Sequence, residues 1–309
     1  MDAIAPRRAR TMAEWGELRR PMFGPTDVPD AIKSWRPRPT DIVITPFGKC
    51  GTTWLQQTFH TLRTRGDMDF DDISRVVPWI ETAKVVGLDL EAPQRAEPRG
   101  FKSHLAYDGH PSIPKGAKYV VSLRDPKDAL VSMHKFMEGW FLEPGAVSIA
   151  DFAEPWIAGG DYWKHLLSWW AERDNPNVLI FSYEGMTADP EGHIRRLAAF
   201  AGLPLDDDLL ALTLERSSIG YMLAHKDRFD DAMMRRVSEE RCNLPPGSDS
   251  AKVRKGGVGG YRTELPADLV AKLDARWAEL VTPATGFADY MALEAAVRVL
   301  RGDRRQSPS

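Results

Sequence analysis

The run Gly48-Lys49-Cys50-Gly51-Thr52-Thr53-Trp54 gathers two glycines, a lysine and two threonines into one short stretch. Such a stretch suits an anion. Glycines let the backbone approach closely, successive N–H groups point to one spot, and a following helix adds partial positive charge at its N-terminus. Lys49 supplies a full charge, and Thr52 and Thr53 supply hydroxyl donors. It is not a Walker A loop, which needs glycine where Val43 stands and Ser or Thr where Cys50 stands. A glycine-containing β–α turn carrying a surface lysine is the plain alternative.

Three further groups carry chemistry. In Phe101-Lys102-Ser103-His104-Leu105, an imidazole of ordinary pKa takes a proton from an alcohol or phenol at neutral pH, and Lys102 lies two residues away on the same strand face. Arg124, in Leu123-Arg124-Asp125-Pro126, offers a planar fork for phosphate, and Ser132 adds a hydroxyl from the helix that follows. Far along the chain, Val253-Arg254-Lys255-Gly256-Gly257-Val258-Gly259-Gly260-Tyr261 is a second cationic, glycine-rich loop. Each alone has an everyday explanation: an exposed histidine, a helix start, a solvated basic loop.

The elements that must position these groups follow from periodicity. Apolar residues over 41–45 lead through Pro46-Phe47-Gly48 into a helix-forming run over 52–63, which predicts strand, tight loop and helix. Short strands are expected at 100–103, 118–123 and 177–182, and helices at 127–138, 162–173 and 190–201, the last closed by Gly202. Short apolar strands alternating with helices predict an α/β protein with a mainly parallel sheet covered on both faces, with chemistry at the strand ends. Residues 1–38 read as an irregular lead-in, 39–300 as a single domain and 301–309 as a polar, disordered tail. The segments 64–98 and 225–258 look like covers over a site, although ordinary loops explain them equally well.

Composition narrows the class. In 309 residues, 41 Lys and Arg face 44 Asp and Glu, for a net charge of −3, which excludes a broad basic surface for nucleic acid but not a small cationic pocket. Two cysteines, Cys50 and Cys242, form neither a disulfide framework nor a metal-type pair, so a reducing cytoplasm is expected. No apolar run approaches the ~20 residues a membrane span needs, and the N-terminal residues do not read as a secretory signal.

Taken together, these motifs resemble those of the sulfotransferases that use 3′-phosphoadenosine 5′-phosphosulfate (PAPS) and release 3′-phosphoadenosine 5′-phosphate (PAP). The loop at 48–54 resembles the family's Lys-Ser-Gly-Thr-Thr-Trp signature, with Cys50 for Ser and Gly48 for Pro. The resemblance implies a P-loop-like three-layer fold. It implies 5′-phosphosulfate binding by Lys49, Cys50, Gly51, Thr52 and Thr53, and adenine contact by Trp54. Lys-x-His makes His104 the general base, with Lys102 and Thr52 on the sulfuryl oxygens and Lys49 on the bridging oxygen. Arg124, Ser132, Arg254, Lys255 and Gly256 inherit the 3′-phosphate. Tyr183 in Tyr-Glu-Gly-Met, and Ser217, Ile219 and Met222 in Ser-Ser-Ile-Gly-Tyr-Met, inherit the adenine, with Ile219 in place of a stacking Phe. Gly260 and Tyr261 replace an Asp-Trp pair, which puts the following turn in question. Cys50, a thiol beside cations, is expected to be open to oxidation.

The expected reaction is in-line sulfuryl transfer without a metal, by positioning and charge stabilisation. Phe47, Trp79, Tyr107, Phe136, Trp140 and Phe141 are candidates to line an apolar pocket, which points to a small hydrophobic hydroxyl or amine acceptor. The family's dimer segment is matched poorly after Tyr261, leaving a homodimer open. The alternatives are a nucleotide-dependent kinase, marked by Mg²⁺ dependence, and a nucleotide-binding protein without catalysis, which has no need of His104.

Overall fold

The computed structural model describes residues 5–107 and 116–300; the expected tail at 301–309 lies outside them. Four strands, β1 (Ile42–Ile44), β2 (Gly100–Lys102), β3 (Lys118–Leu123) and β4 (Val178–Ser182), form one sheet in the order β2-β1-β3-β4. Every pairing is parallel, with Ile42 opposite Gly100 and Lys118, and Tyr119 opposite Val178. The P-loop-like α/β expectation is met, and the strands fall within a residue of their predicted ends.

Alternation along each strand builds three layers. Val43, Phe101, Tyr119, Val121 and Ile180 point into one core, and Ile42, Ile44, Val120, Leu179 and Phe181 into the other. The second core is covered by α3 (Thr52–Thr64), α9 (Pro190–Ala201) and α10 (Asp207–Arg216), through Leu55, Phe59, Ile194, Leu197 and Leu210. The first is covered by α5 (Pro126–Trp140), α7 (Asp161–Ala171) and α14 (Ala267–Leu280), through Leu130, Trp163, Trp169, Leu273 and Trp277. Burying each such large apolar side chain contributes about 1.5–3 kcal/mol. Strands buried on both faces read as continuous apolar runs, which is why 178–181 carries no polar residue.

The lead-in is not irregular. Thr11 caps α1 (Met12–Leu18) by accepting from the Glu14 N–H, and α2 (Asp27–Ser34) follows. Trp15 packs on Phe141 with ring centroids 4.3 Å apart, and Ala9 bridges to Leu142. A proline-rich stretch is held here by tertiary aromatic packing, which local propensity does not register. The segment 64–98 carries a short helix, α4 (Ile73–Val76), with Ile73, Val77 and Ile80 buried. The remaining described helices are α6 (Ile149–Gly159), α8 (Tyr183–Ala188), α11 (Ile219–Ala224), α12 (Ala232–Cys242), α13 (Tyr261–Glu264), α15 (Thr282–Thr285) and α16 (Tyr290–Val299). Among the described residues no helix is long and apolar enough to cross a membrane.

Candidate active site

The carboxyl ends of the strands open on a cavity of about 730 Å³. Its floor is the turn between β1 and α3. Lys49 adopts φ +67° and Gly51 φ +94°, and the α3 N-terminus receives no side-chain cap. A Cβ at Gly51 would stand 3.1 Å from the Tyr183 ring at a left-handed φ, so only glycine fits. The Thr52 hydroxyl is buried without a partner. An uncapped, buried helix start with an orphaned hydroxyl is a cradle for an anion. The Cys50 N–H, by contrast, is spent on the Phe47 carbonyl, and its thiol is buried and pushed up to about 12 by burial. Cys50 does not line the cavity, and the expected oxidation sensitivity is not met: a buried thiol this weakly acidic holds no thiolate.

Arg124, at the end of β3, ties two loops together. It donates to the Lys49 carbonyl at 2.9 Å and the Gly257 carbonyl at 3.1 Å, and lies over the Tyr183 ring at 4.2 Å. Its Nε is buried without a partner. Ser132, Trp54, Tyr183, Ser217, Ile219, Met222, Arg254, Lys255 and Gly256 all line the same cavity. The Ser217 hydroxyl donates to the Thr213 carbonyl at 2.6 Å, and Ile219 stands against Gly256, which itself has φ +64°. The Gly260-Tyr261 departure leaves the turn intact, because the Asp128 carboxylate accepts from the Gly259 and Tyr261 N–H groups.

The expected base, His104, lies just past β2. The His104 Nδ1 is 2.7 Å from the Pro46 carbonyl, which accepts only, so Nδ1 carries the proton and Nε2 keeps its lone pair. The Glu81 carboxylate accepts the His104 backbone N–H at 2.7 Å. Burial, then the neighbouring Lys102 charge, push the imidazole down to about 3, so it is neutral at physiological pH. Lys102 is buried with its Nζ 3.7 Å from the centre of the Trp79 ring. Burial pushes Lys102 down to about 8; burial and repulsion from Lys252 push Lys49 down to about 7. These ammonium groups lack enough negative charge around them, and an anionic ligand would supply it.

The chain matches the sulfotransferase domain model over residues 39–283. The chain belongs to the sulfotransferase family. Membership carries the PAPS-dependent chemistry that the motifs of this sulfotransferase imply. It is 27% identical to luciferin sulfotransferase of Photinus pyralis over 79% of this chain and 72% of that one. It is 28% identical to sulfotransferase 1E1 of Bos taurus over 82% and 88%. The fold superposes on retinol dehydratase in complex with androsterone and inactive cofactor PAP, with TM-score 0.68 at 20% identity, covering 88% of this chain and 95% of the other. It superposes on mouse sulfotransferase SULT7A1 complexed with PAP, with TM-score 0.65 at 22% identity, covering 88% and 94%.

The apolar wall of the cavity differs from its sequence expectation. Trp79, Phe136, Trp140 and Phe141 line the cavity. Phe47 and Tyr107 do not. Phe47 turns its edge to Tyr162 and His165, and Tyr107 packs on Trp169 at 5.1 Å, both half-buried against the core at α7. Their places are taken by Met22 and Phe23 from the lead-in, Met133 from α5 and Met234 from α12. The space a side chain at Gly48 would need is filled by the Met133 methyl, 2.7 Å from the Cβ position. Asp231 and Lys252, from 225–258, also line the cavity and carry no motif signal. Asp128 does have one, as the second acidic residue of Arg-Asp-Pro-Lys-Asp.

Proposed function

We propose that this sulfotransferase moves the sulfuryl group of PAPS to the hydroxyl of a small, hydrophobic, ring-containing acceptor, with His104 as general base. The observation that carries the reading is the His104 geometry: a neutral imidazole, its Nδ1 proton fixed on the Pro46 carbonyl, with Nε2 free in a cavity of lysines and aromatic rings. In such a transfer the acceptor oxygen bonds to sulfur as the sulfur–oxygen bond to the 5′-phosphate breaks, that bond's electron pair leaves with PAP, and the acceptor proton passes to Nε2.

The residues fit the donor. Gly51 and the α3 N-terminus, with Thr52, Thr53 and Lys49, would hold its 5′ end, and Trp54, Tyr183, Ile219 and Met222 its base. Arg124, Ser132, Arg254, Lys255 and Gly256 would hold its 3′-phosphate. Negative charge arriving there raises the proton affinity of Lys49 and His104 together, restoring charge to the one and basicity to the other. Lys102, over Trp79, would hold sulfuryl oxygens.

The acceptor's chemistry follows from the opposite wall. Phe23, Trp79, Phe136, Trp140 and three methionines offer flat apolar surface and adaptable thioethers. The lysines beside His104 repel a protonated amine and stabilise a developing phenolate, which favours a phenolic hydroxyl over an amine. A near-neutral chain with both described cysteines buried and free fits a cytoplasmic enzyme. Residues 39–300, with the lead-in folded against them, are taken as one domain.

The test supplies PAPS labelled in its sulfate with phenols, aliphatic alcohols and amines of graded size, with and without EDTA. Transfer to apolar phenols, indifferent to EDTA, supports the reading. Amines exceeding phenols would overturn the acceptor class, and absence of both transfer and PAP binding would overturn the function.

A further inference from the structure

We propose that Lys252 is a further catalytic residue, donating from Nζ to the transferring sulfuryl group, and that Asp231 is the residue that positions it. The inference rests on the PAPS reading and extends it to a lysine outside every motif.

Asp231 sits in the turn before α12 at φ +49°, buried, with its carboxylate on the cavity wall. Its Oδ1 accepts from Lys252 Nζ at 2.6 Å and lies 3.8 Å from Lys102 Nζ. Two ammonium groups on one oxygen must be close neighbours, so Lys252 stands beside the lysine that precedes His104 by two residues. Its charge also depresses the proton affinities of Lys49, Lys102 and His104.

Charge balance argues that Lys252 is more than a tether. Lys102 alone would neutralise Asp231. Glu81 and Asp72 also act on Lys102, but Lys252, itself largely buried, has to share the Asp231 carboxylate with it, and burying a charge with half a partner is costly unless an anion meets it. An ammonium has three N–H donors. The hydrogen bond from Lys252 to Asp231 uses one of them.

Chain connectivity gives the device its logic. Lys252 precedes Arg254 by two residues and Gly257, whose carbonyl accepts from Arg124, by five. One short stretch therefore reaches both the proposed 3′-phosphate site and the reactive end. Seating Arg254 and Lys255 on the 3′-phosphate would bring Lys252 to the sulfuryl group, while Asp231 fixes its direction.

The experiment compares PAP, which lacks the sulfuryl group, with PAPS by titration calorimetry without acceptor, alongside single-turnover transfer to a phenol the wild type accepts. Lys252→Met keeps length and removes charge. PAP affinity should stay within about threefold, PAPS affinity should fall roughly tenfold, and the single-turnover rate should fall about 10²-fold. Lys252→Arg should restore most of the rate, and Asp231→Asn should shift the PAPS-to-PAP affinity ratio in the same direction as Lys252→Met. An unchanged affinity ratio with a near-wild-type rate, or equal loss of both nucleotides, would show a tether and overturn the inference. A fall in melting temperature alone for Asp231→Asn would remove the positioning role. If Lys252→Met does not fold, Lys252→Gln takes its place under the same criteria. Wild-type transfer with an unmoved variant sinks this inference only; a wild type that neither binds PAP nor transfers from PAPS sinks the function.

Discussion

The half of the cavity proposed to hold the nucleotide and the half proposed to hold the acceptor are built in opposite ways. The nucleotide half is polar, made from turns that directly follow strands β1 and β3 and from one distant loop, and held by backbone geometry at Lys49, Gly51 and Gly256. The acceptor half is apolar, assembled from α5, α12, the stretch after α4 and the lead-in, and held by side-chain packing. Charge chemistry needs fixed directions, which short loops on rigid strands provide; acceptor shape needs only volume, which any segment can supply.

Substitutions should separate the two halves, and the largest effect belongs to the residue between them. His104→Ala should lower turnover by about 10²–10⁴-fold. PAP affinity should stay within about threefold, since the ring makes its visible hydrogen bond to Pro46. Similar turnover in wild type and variant would break the division at its centre. Next comes the nucleotide half. Arg124→Met removes a cation and the link between the Lys49 and Gly257 carbonyls. It should weaken PAP by roughly 10–100-fold in titration calorimetry. The affinity of an acceptor analogue should not follow; if it falls as far, the halves are not separable.

The acceptor half should answer more gently. Phe23→Ala trims a wall the lead-in provides, and should raise the acceptor KM by about tenfold for the loss of part of one apolar contact. PAP binding should be unaltered, and an unchanged KM would return the lead-in to a purely structural role.

Proton linkage sharpens the contrast further. Lys49 in the free enzyme loses its proton as pH rises through about 7, and anionic PAP favours the protonated form. PAP binding should therefore take up a proton, and affinity should fall by at most about tenfold per pH unit above neutrality. Calorimetry in buffers of different ionisation enthalpy reads that proton directly. Pure apolar acceptor analogues should show no such uptake.

The last effect bears on the fold rather than on either half, and is stability in acid. His60, His104 and His165 are each held near 3 by burial against an ordinary 6.5. The unfolded chain binds their protons first, so stability is present above about 6.5 and is lost as pH falls from there toward 3. Thermal melts at pH 7, 6 and 5 should show a falling midpoint, and a flat midpoint would contradict the buried neutral state.

That the residues proposed for the nucleotide meet in one cavity was legible because their motifs are local. Lys49, Arg124 and Arg254 are each read from a handful of neighbours, and the strand–turn–helix around them follows from apolar runs and glycines. The acceptor half was only half legible. Trp79, Phe136 and Trp140 face the cavity while Phe47 and Tyr107 pack against the core away from it, and all are aromatic residues near motifs. Nothing in residue type distinguishes a wall from a core position, since both reward apolar area alike.

By itself the sequence determined the four strands, the α/β class with a parallel sheet, the strand–turn–helix around Lys49 and the Lys-x-His pair, since periodicity and turn chemistry act over a few residues. Only the tertiary structure decided that Asp231 meets Lys252 and Lys102, that Asp128 braces the loop at 259–261, and that Met22 and Phe23 line the cavity. Asp231 with Lys102, and Asp128 with Gly259 and Tyr261, are each more than a hundred positions apart, and Lys252 reaches Asp231 across a turn and a helix. Packing selects them by shape and charge, and no local pattern encodes either.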